Sequence, residues 1–231
     1  MHKQLIEVGD HKIPLIPGPL DLGVYSLARG LVDAVNHLYF RVDVRGSEKI
    51  PSPPYIIAPT HRSNIDSILM GSLTHAPLRF MGKDSLWKMR WAAMLFTAIG
   101  GIPVNRDIAD REAVDTCVAI LEAGQPLVLF PEGTRKQGPV VTEVLDGAAY
   151  IALKAKVPII PVGIAGSERA MGKGVKIPRP VRCVMLVGDP LLSAMEPTPT
   201  KSRIPRSKIR DLTGELQARL QELFDEAQML A

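Results

Sequence analysis

Apolar residues recur along this chain at two periods, and the switches between them mark out its elements. From 22 to 39, Leu22, Leu27, Leu31, Val35, Leu38 and Tyr39 fall near helical spacing, which predicts an amphipathic helix. Phe40, Val42 and Val44 then alternate with Arg41, Asp43 and Arg45, the period-two pattern of a half-buried strand. A proline-rich loop (Pro51, Pro53, Pro54) leads into an apolar strand over 55–58 that Pro59 ends, and a helix is expected over 64–72. Strands follow at 78–81 and 102–104, with a helix between them over 85–99. A further helix over 110–123 carries Ala113, Val114, Cys117, Val118 and Leu121 on one side and exits at Gly124. The remaining pattern predicts strands at 127–130, 158–164 and 181–187 and a helix over 143–156. A second amphipathic helix, 209–230, has Ile209, Leu212, Leu216, Leu220, Leu223 and Phe224 on its apolar side.

Helices alternating with short, nearly continuous apolar strands imply an α/β fold, a single mostly parallel or mixed sheet flanked by helices. No internal repeat or long linker interrupts it, and 231 residues suit one well-packed domain spanning 1–231. Composition changes this picture little: 46% apolar and 23% charged residues are an ordinary globular balance. The net charge of +4 favours an anionic partner, whether nucleotide, phosphate or acidic lipid surface. Two isolated cysteines, Cys117 and Cys183, point to free thiols in a reducing compartment rather than to a disulfide framework or a zinc site. No secretory signal is expected, and the longest uncharged apolar run, 91–105, is shorter than the roughly 20 residues of a membrane-spanning helix.

Three loops that follow predicted strands hold the candidate chemistry. In Thr60-His61-Arg62-Ser63-Asn64-Ile65-Asp66, an imidazole could take a proton from a hydroxyl near neutral pH and return it. A carboxylate on its other ring nitrogen would fix the tautomer, and Asp66 is placed to do so if it lies in the first turn of a helix that His61 precedes. Ser63 and Asp66 equally fit a capping box, and one carboxylate oxygen for each partner would let both roles coexist. In Gly100-Gly101-Ile102-Pro103-Val104-Asn105-Arg106, Arg106 could clamp a phosphate or be an ordinary surface arginine. In Phe130-Pro131-Glu132-Gly133-Thr134-Arg135, backbone N–H groups and a guanidinium could meet an anion. Glu132 would orient Arg135 or Arg106, or bond an acceptor hydroxyl. The alternative is a tight turn closed by a Glu–Arg pair.

Together the loops resemble the sequence blocks of the glycerolipid acyltransferases, most closely the bacterial 1-acylglycerol-3-phosphate acyltransferases. The first matches that family's Asn-His-x-Ser-x-x-Asp block except that Thr60 replaces Asn. Residues 101–106 and 130–135 match the second and third blocks, and Val157-Pro158-Ile159-Ile160-Pro161-Val162 the fourth, in the family's order, over about 35–190. Lys136 stands where many relatives have Ser, and Asp146 where they usually have Lys.

The resemblance implies a fatty acyl transfer from acyl-CoA or acyl-ACP as co-substrate to the free hydroxyl of 1-acyl-sn-glycerol 3-phosphate, giving phosphatidic acid. His61 and Asp66 would be catalytic, Arg106 and Arg135 would bind the acceptor phosphate, and Glu132, Gly133 and Thr134 would shape the site. No metal and no tightly bound cofactor is implied. The same loops would serve glycerol 3-phosphate, 2-acylglycerol 3-phosphate or another phospholipid or glycolipid acceptor. A substrate of this kind implies an anionic membrane surface as partner and a peripheral or monotopic place on the cytoplasmic face. Trp87, Trp91, Met94, Leu95 and Phe96 beside Lys83, Lys88 and Arg90, or the N-terminal helix, would make the contact. A basic membrane- or nucleic-acid-binding module is the rival from another class, resting on Lys201, Arg203, Arg206, Lys208 and Arg210. It leaves the three ordered loops unexplained, and no nucleic acid is expected.

Overall fold

Period-two alternation in the strands builds two cores, one on each face of a sheet. In the computed structural model, which describes residues 5–8, 11–14, 19–83, 97, 100–104, 111–195 and 204–231, the elements run β1 (Leu5–Val8), β2 (His11–Pro14), α1 (Pro19–Leu38), β3 (Asp43–Arg45), β4 (Ile56–Pro59), α2 (Asp66–Leu69), β5 (Arg79–Lys83) and β6 (Gly101–Val104). Then come α3 (Arg111–Glu122), β7 (Leu127–Val128), α4 (Gly147–Ala155), β8 (Ile159–Ala165), α5 (Ser167–Met171), β9 (Val184–Val187) and α6 (Arg206–Leu230). Among the described residues, seven strands form one sheet in the order β3-β9-β8-β4-β7-β5-β6. Only the β8–β9 pair is antiparallel, so the sheet is mixed and mostly parallel.

Ile56 and Ala58 of β4, Leu127 of β7, Ile159 of β8 and Leu186 of β9 point into one core, where α3, α4 and α6 contribute Leu121, Ile151, Leu216, Leu220 and Phe224. Their neighbours Ile57, Val128, Ile160, Val162 and Met185 point into the other, against Ile65, Leu69 and Met70 of the α2 region. Each of the larger side chains contributes about 1.5–3 kcal/mol by leaving water. β4, β8 and β9 are buried at every position, which is why their sequences read as unbroken apolar runs. Gly163 lets α6 lie directly on β8: a Cβ there would sit 2.5 Å from the Leu223 carbonyl carbon.

The expected elements fall within a few residues of their places, with informative differences. The strand expected from Phe40 starts at Asp43, because Arg41 turns the chain with a positive φ of 45°. The helix expected over 143–156 starts at Gly147, since the Leu145 N–H is already given to the Pro131 carbonyl (2.8 Å). The helix expected over 64–72 is one α turn, Asp66–Leu69, continued as a 3-10 turn. The β1–β2 hairpin and α5 are additions to the predicted set. Nearly all of the expected 85–99 helix, with its tryptophans, lies outside the described residues.

The N-terminal helix forms as predicted but presents its apolar stripe outward. Leu27, Leu31 and Leu38 are 79%, 69% and 83% exposed, and Val24 and Val35 are exposed beside them. The face turned to the protein is Tyr25, Arg29, Val32 and Asn36, the other set at helical spacing. Its contacts are mostly polar: the Tyr25 hydroxyl donates to Ala76 O, and Asn36 Nδ2 donates to Ile68 O and Ser72 Oγ.

Candidate active site

The parallel arrangement of β4, β7, β5 and β6 sends the loops that follow them to the same edge of the sheet, the carboxyl edge where ligands of α/β folds bind. His61 leaves the end of β4. The Glu132–Arg135 loop leaves β7, its immediate neighbour. β6 ends at Val104 on the same edge, and Arg106 lies outside the described residues.

Thr60 anchors the end of β4. Its hydroxyl accepts from Ile164 N–H at 2.9 Å, so the side chain continues the pairing with β8 where the strand has ended. The next residue projects from that anchor. His61 Nδ1 lies 2.9 Å from Asp66 Oδ2, with the His61 side chain 17% exposed and the carboxylate fully buried. The same Oδ2 accepts from the backbone N–H groups of Arg62 and Ser63, each at 2.7 Å. An oxygen already taking two N–H groups accepts from the ring as well, so Nδ1 carries a proton, and in the neutral imidazole the lone pair is on Nε2. Capping and orienting therefore fall on a single oxygen rather than on one oxygen each. Phe130 stacks on the imidazole at 4.1 Å between ring centroids.

Among the described residues the partner of Glu132 is Arg62 rather than Arg135. Glu132 is buried, and Arg62 Nη1 donates to both of its oxygens at 2.7 Å. Glu132 Oε1 also accepts the His61 N–H at 2.8 Å, so the carboxylate joins the two loops across the β4–β7 boundary. Arg62 completes the junction by donating to Gly138 O, Val140 O and His61 O, with its guanidinium over the Phe224 ring. Arg62 is the residue the sequence reading passed over. Its signal was an arginine just beyond the apolar run 55–58 of a buried strand, where a cation must find a buried anion.

Beyond Glu132 the loop turns outward. Gly133 takes a positive φ of 68°, Gly133 and Thr134 are exposed and Arg135 is half-buried with no hydrogen bond or ion pair among the described residues. Lys136 donates its N–H to His61 O, and its ammonium lies 3.7 Å from Glu143. Between His61 and Gly133 opens a cavity of about 290 Å³, otherwise walled by Met81, Val128, Leu129, Phe130, Leu145, Ala148 and Ile151 among others. Such a site offers one basic nitrogen beside an apolar volume, with a free guanidinium on the adjoining loop.

A family model described as Acyltransferase matches residues 41–165, more than half of the chain. The chain belongs to the acyltransferase family. Over 210 residues this acyltransferase is 25% identical to the 1-acyl-sn-glycerol-3-phosphate acyltransferase of Bacillus subtilis, covering 90% of this chain and all of that one. It is 30% identical over 141 residues to the human 1-acyl-sn-glycerol-3-phosphate acyltransferase alpha, spanning 55% of this chain and 47% of that one. The crystal structure of the 1-acyl-sn-glycerophosphate acyltransferase PlsC from Thermotoga maritima shares its fold, with a TM-score of 0.67 at 24% identity over 86% of this chain and 80% of that one.

The acyltransferase's departures from the block pattern have structural partners. Thr60 faces β8 rather than the cavity, as its bond to Ile164 requires. Asp146 accepts from the Thr213 hydroxyl at 2.8 Å, tying the start of α4 to α6. Ser63 is buried and donates to Met171 O at 2.5 Å. Cys117 and Cys183 are buried thiols outside any disulfide, and the Cys117 thiol donates to Met81 Sδ at 3.2 Å.

Proposed function

We propose that this acyltransferase moves a fatty acyl group from acyl-CoA or acyl-ACP to the free hydroxyl of 1-acyl-sn-glycerol 3-phosphate, giving phosphatidic acid. The observation that carries this reading is the His61–Asp66 pair opening onto an apolar cavity, with Nδ1 held and Nε2 unbonded among the described residues. The name of the Bacillus relative, a 1-acyl-sn-glycerol-3-phosphate acyltransferase that aligns over its whole length, supports the acceptor.

His61 Nε2 takes the proton from the acceptor hydroxyl as its oxygen attacks the thioester carbonyl. Asp66 offsets the imidazolium charge that forms. The tetrahedral intermediate collapses, the new ester forms as the C–S bond breaks, and the proton on His61 passes to the departing thiolate. The thioester is already activated, so no covalent enzyme intermediate is needed, and buried Ser63 and Cys117 are not used as nucleophiles. The acyl tail occupies the cavity walled by Met81, Leu129, Leu145 and Ile151. Arg135 binds the acceptor phosphate, with Gly133 and Thr134 shaping the turn, and Arg106 is assigned to the same phosphate on sequence grounds. Glu132 shapes the site from behind, through Arg62 and the His61 backbone.

No helix among the described residues is long and apolar enough to cross a membrane. The outward stripe of α1 is the membrane contact: Leu27, Leu31 and Leu38 enter one leaflet, giving a peripheral or monotopic enzyme on the cytoplasmic face. Acyl transfer is tested with His61→Ala of verified fold, for which we expect a loss on the order of 10²–10⁴-fold in kcat. Near-normal turnover would refute the assignment. An acceptor panel of glycerol 3-phosphate and the 1-acyl and 2-acyl monoesters, at one fixed acyl-CoA, tests the acceptor. Preference for anything but the 1-acyl form would replace it.

A further inference from the structure

The loop 172–182, between α5 and β9, reads Gly-Lys-Gly-Val-Lys-Ile-Pro-Arg-Pro-Val-Arg. Lys173, Lys176 and Arg179 are exposed and have no carboxylate partner among the described residues, while Arg182 is paired with Asp43 at 2.9 Å. Ile177, set among these cations, is 78% exposed. A lone exposed isoleucine means little, and so do three surface cations. Their place in the fold changes that. The Tyr39 hydroxyl donates to Pro178 O at 2.9 Å, and Arg41 Nη2 donates to Pro180 O at 2.8 Å. Tyr39 directly follows Leu38, so the outward stripe of α1 ends against the segment that carries Ile177.

The loop is also fixed rather than left to wander. Arg179 N–H bonds Ala170 O at 2.9 Å, Val175 N–H bonds Gly172 O at 3.1 Å, and Pro178 and Pro180 restrict the backbone on either side of Arg179. At its start, Met171 O accepts from Ser63 Oγ, two residues beyond His61. One short segment thus joins the end of the apolar helix face to the edge that holds the histidine.

We propose that the loop 172–182 is a docking element for anionic lipid headgroups. Ile177 enters the interface beside the α1 stripe, while Lys173, Lys176 and Arg179 bind lipid phosphates and set the active-site edge on a negatively charged leaflet. This rests on the reading of α1 as the membrane contact. Each cation near an anionic surface contributes about five-fold to binding, so the three together contribute on the order of 100-fold.

The test is co-sedimentation of the full-length protein with vesicles of phosphatidylcholine alone, or with about one third phosphatidylglycerol, near 0.1 M salt where screening acts over about 10 Å. Native protein should bind the anionic vesicles on the order of 100-fold more tightly. The triple variant Lys173→Gln/Lys176→Gln/Arg179→Gln should lose that difference, keep its binding to neutral vesicles, and keep native kcat on acceptor presented in neutral detergent micelles. Leu31→Ser/Leu38→Ser should lose binding to both vesicles. Equal binding of native protein to the two compositions, or an undiminished anionic preference in the triple variant, overturns the loop proposal alone. Absence of any vesicle binding by native protein, or no effect of the Leu31/Leu38 variant, overturns the α1 reading and the loop with it. Tighter binding of duplex DNA than of anionic vesicles at equal phosphate concentration would assign the cations to a different partner and also overturn the proposal.

Discussion

Replacing Arg62 with methionine keeps an unbranched apolar chain and removes one guanidinium. In the native protein that group gives two 2.7 Å bonds to Glu132, one of 3.2 Å to His61 O, one of 3.2 Å to Gly138 O and one of 3.1 Å to Val140 O. Both partners of the ion pair are almost wholly buried, at 1% and 0% side-chain exposure. The variant therefore leaves a buried carboxylate with the His61 N–H as its remaining bond, and the Gly138 and Val140 carbonyls without this donor, while His61 O keeps the Lys136 N–H. Breaking such a pair from one side costs about 3–5 kcal/mol. That is a large part of the roughly 5–15 kcal/mol by which domains are stable. For a chain of this size about 1 kcal/mol moves the thermal midpoint by about 2–4 °C, so a fall of about 6–20 °C is expected. The assay is thermal and urea unfolding of native protein, Arg62→Met, Glu132→Gln and the double variant. The double variant should be less destabilised than the sum of the two singles by at least about 1 kcal/mol, because each single change already breaks the pair. Additivity within about 0.5 kcal/mol would refute the junction. So would a midpoint for Arg62→Met within about 2 °C of native.

Three further outcomes follow from the same geometry. Asp66→Asn should lower kcat on the order of 10²–10⁴-fold with little change in KM, because an amide no longer holds the proton on Nδ1 as the carboxylate does; an unaltered kcat in steady-state assays would remove Asp66 from the mechanism. Gly163→Ala places a Cβ 2.5 Å from the Leu223 carbonyl group of α6, so urea unfolding should show a loss of about 1–3 kcal/mol, and a native midpoint would mean α6 does not rest on β8 as described. Burial, with the Asp66 charge nearby, pushes the Cys183 thiol up to about 12 from 9.0. The thiol then stays protonated in the folded protein while the unfolded chain ionises, so its contribution to stability is complete below pH 9.0 and is lost as pH rises toward about 12. Tyr25 and Tyr55, raised by burial from 10.0, act in the same direction once pH passes 10.0. Denaturant midpoints at rising alkaline pH should fall less steeply for Cys183→Ala than for native protein, and equal slopes would exclude a contribution from this thiol.

Periodicity alone determined α3 and α6, whose apolar residues every three or four positions have one packing solution on a sheet, and the central strands β4 and β8, whose unbroken apolar runs suit burial on both faces. The His61–Asp66 pair was legible for a similar reason. Five residues apart across the start of a helix, the two groups meet through local geometry, which sequence spacing encodes. Tertiary structure decided the rest. Arg62 and Glu132 are 70 residues apart, and they meet only because β4 and β7 are neighbours in the sheet. Which carboxylate oxygen served His61 depended likewise on where the Arg62 and Ser63 N–H groups came to lie. The N-terminal helix shows the limit most clearly. Both its stripes have helical spacing, and apolar spacing records only that a face avoids water. Whether that face avoids it in a core or at a surface is fixed by what the fold leaves uncovered, here the stripe of Leu27, Leu31 and Leu38.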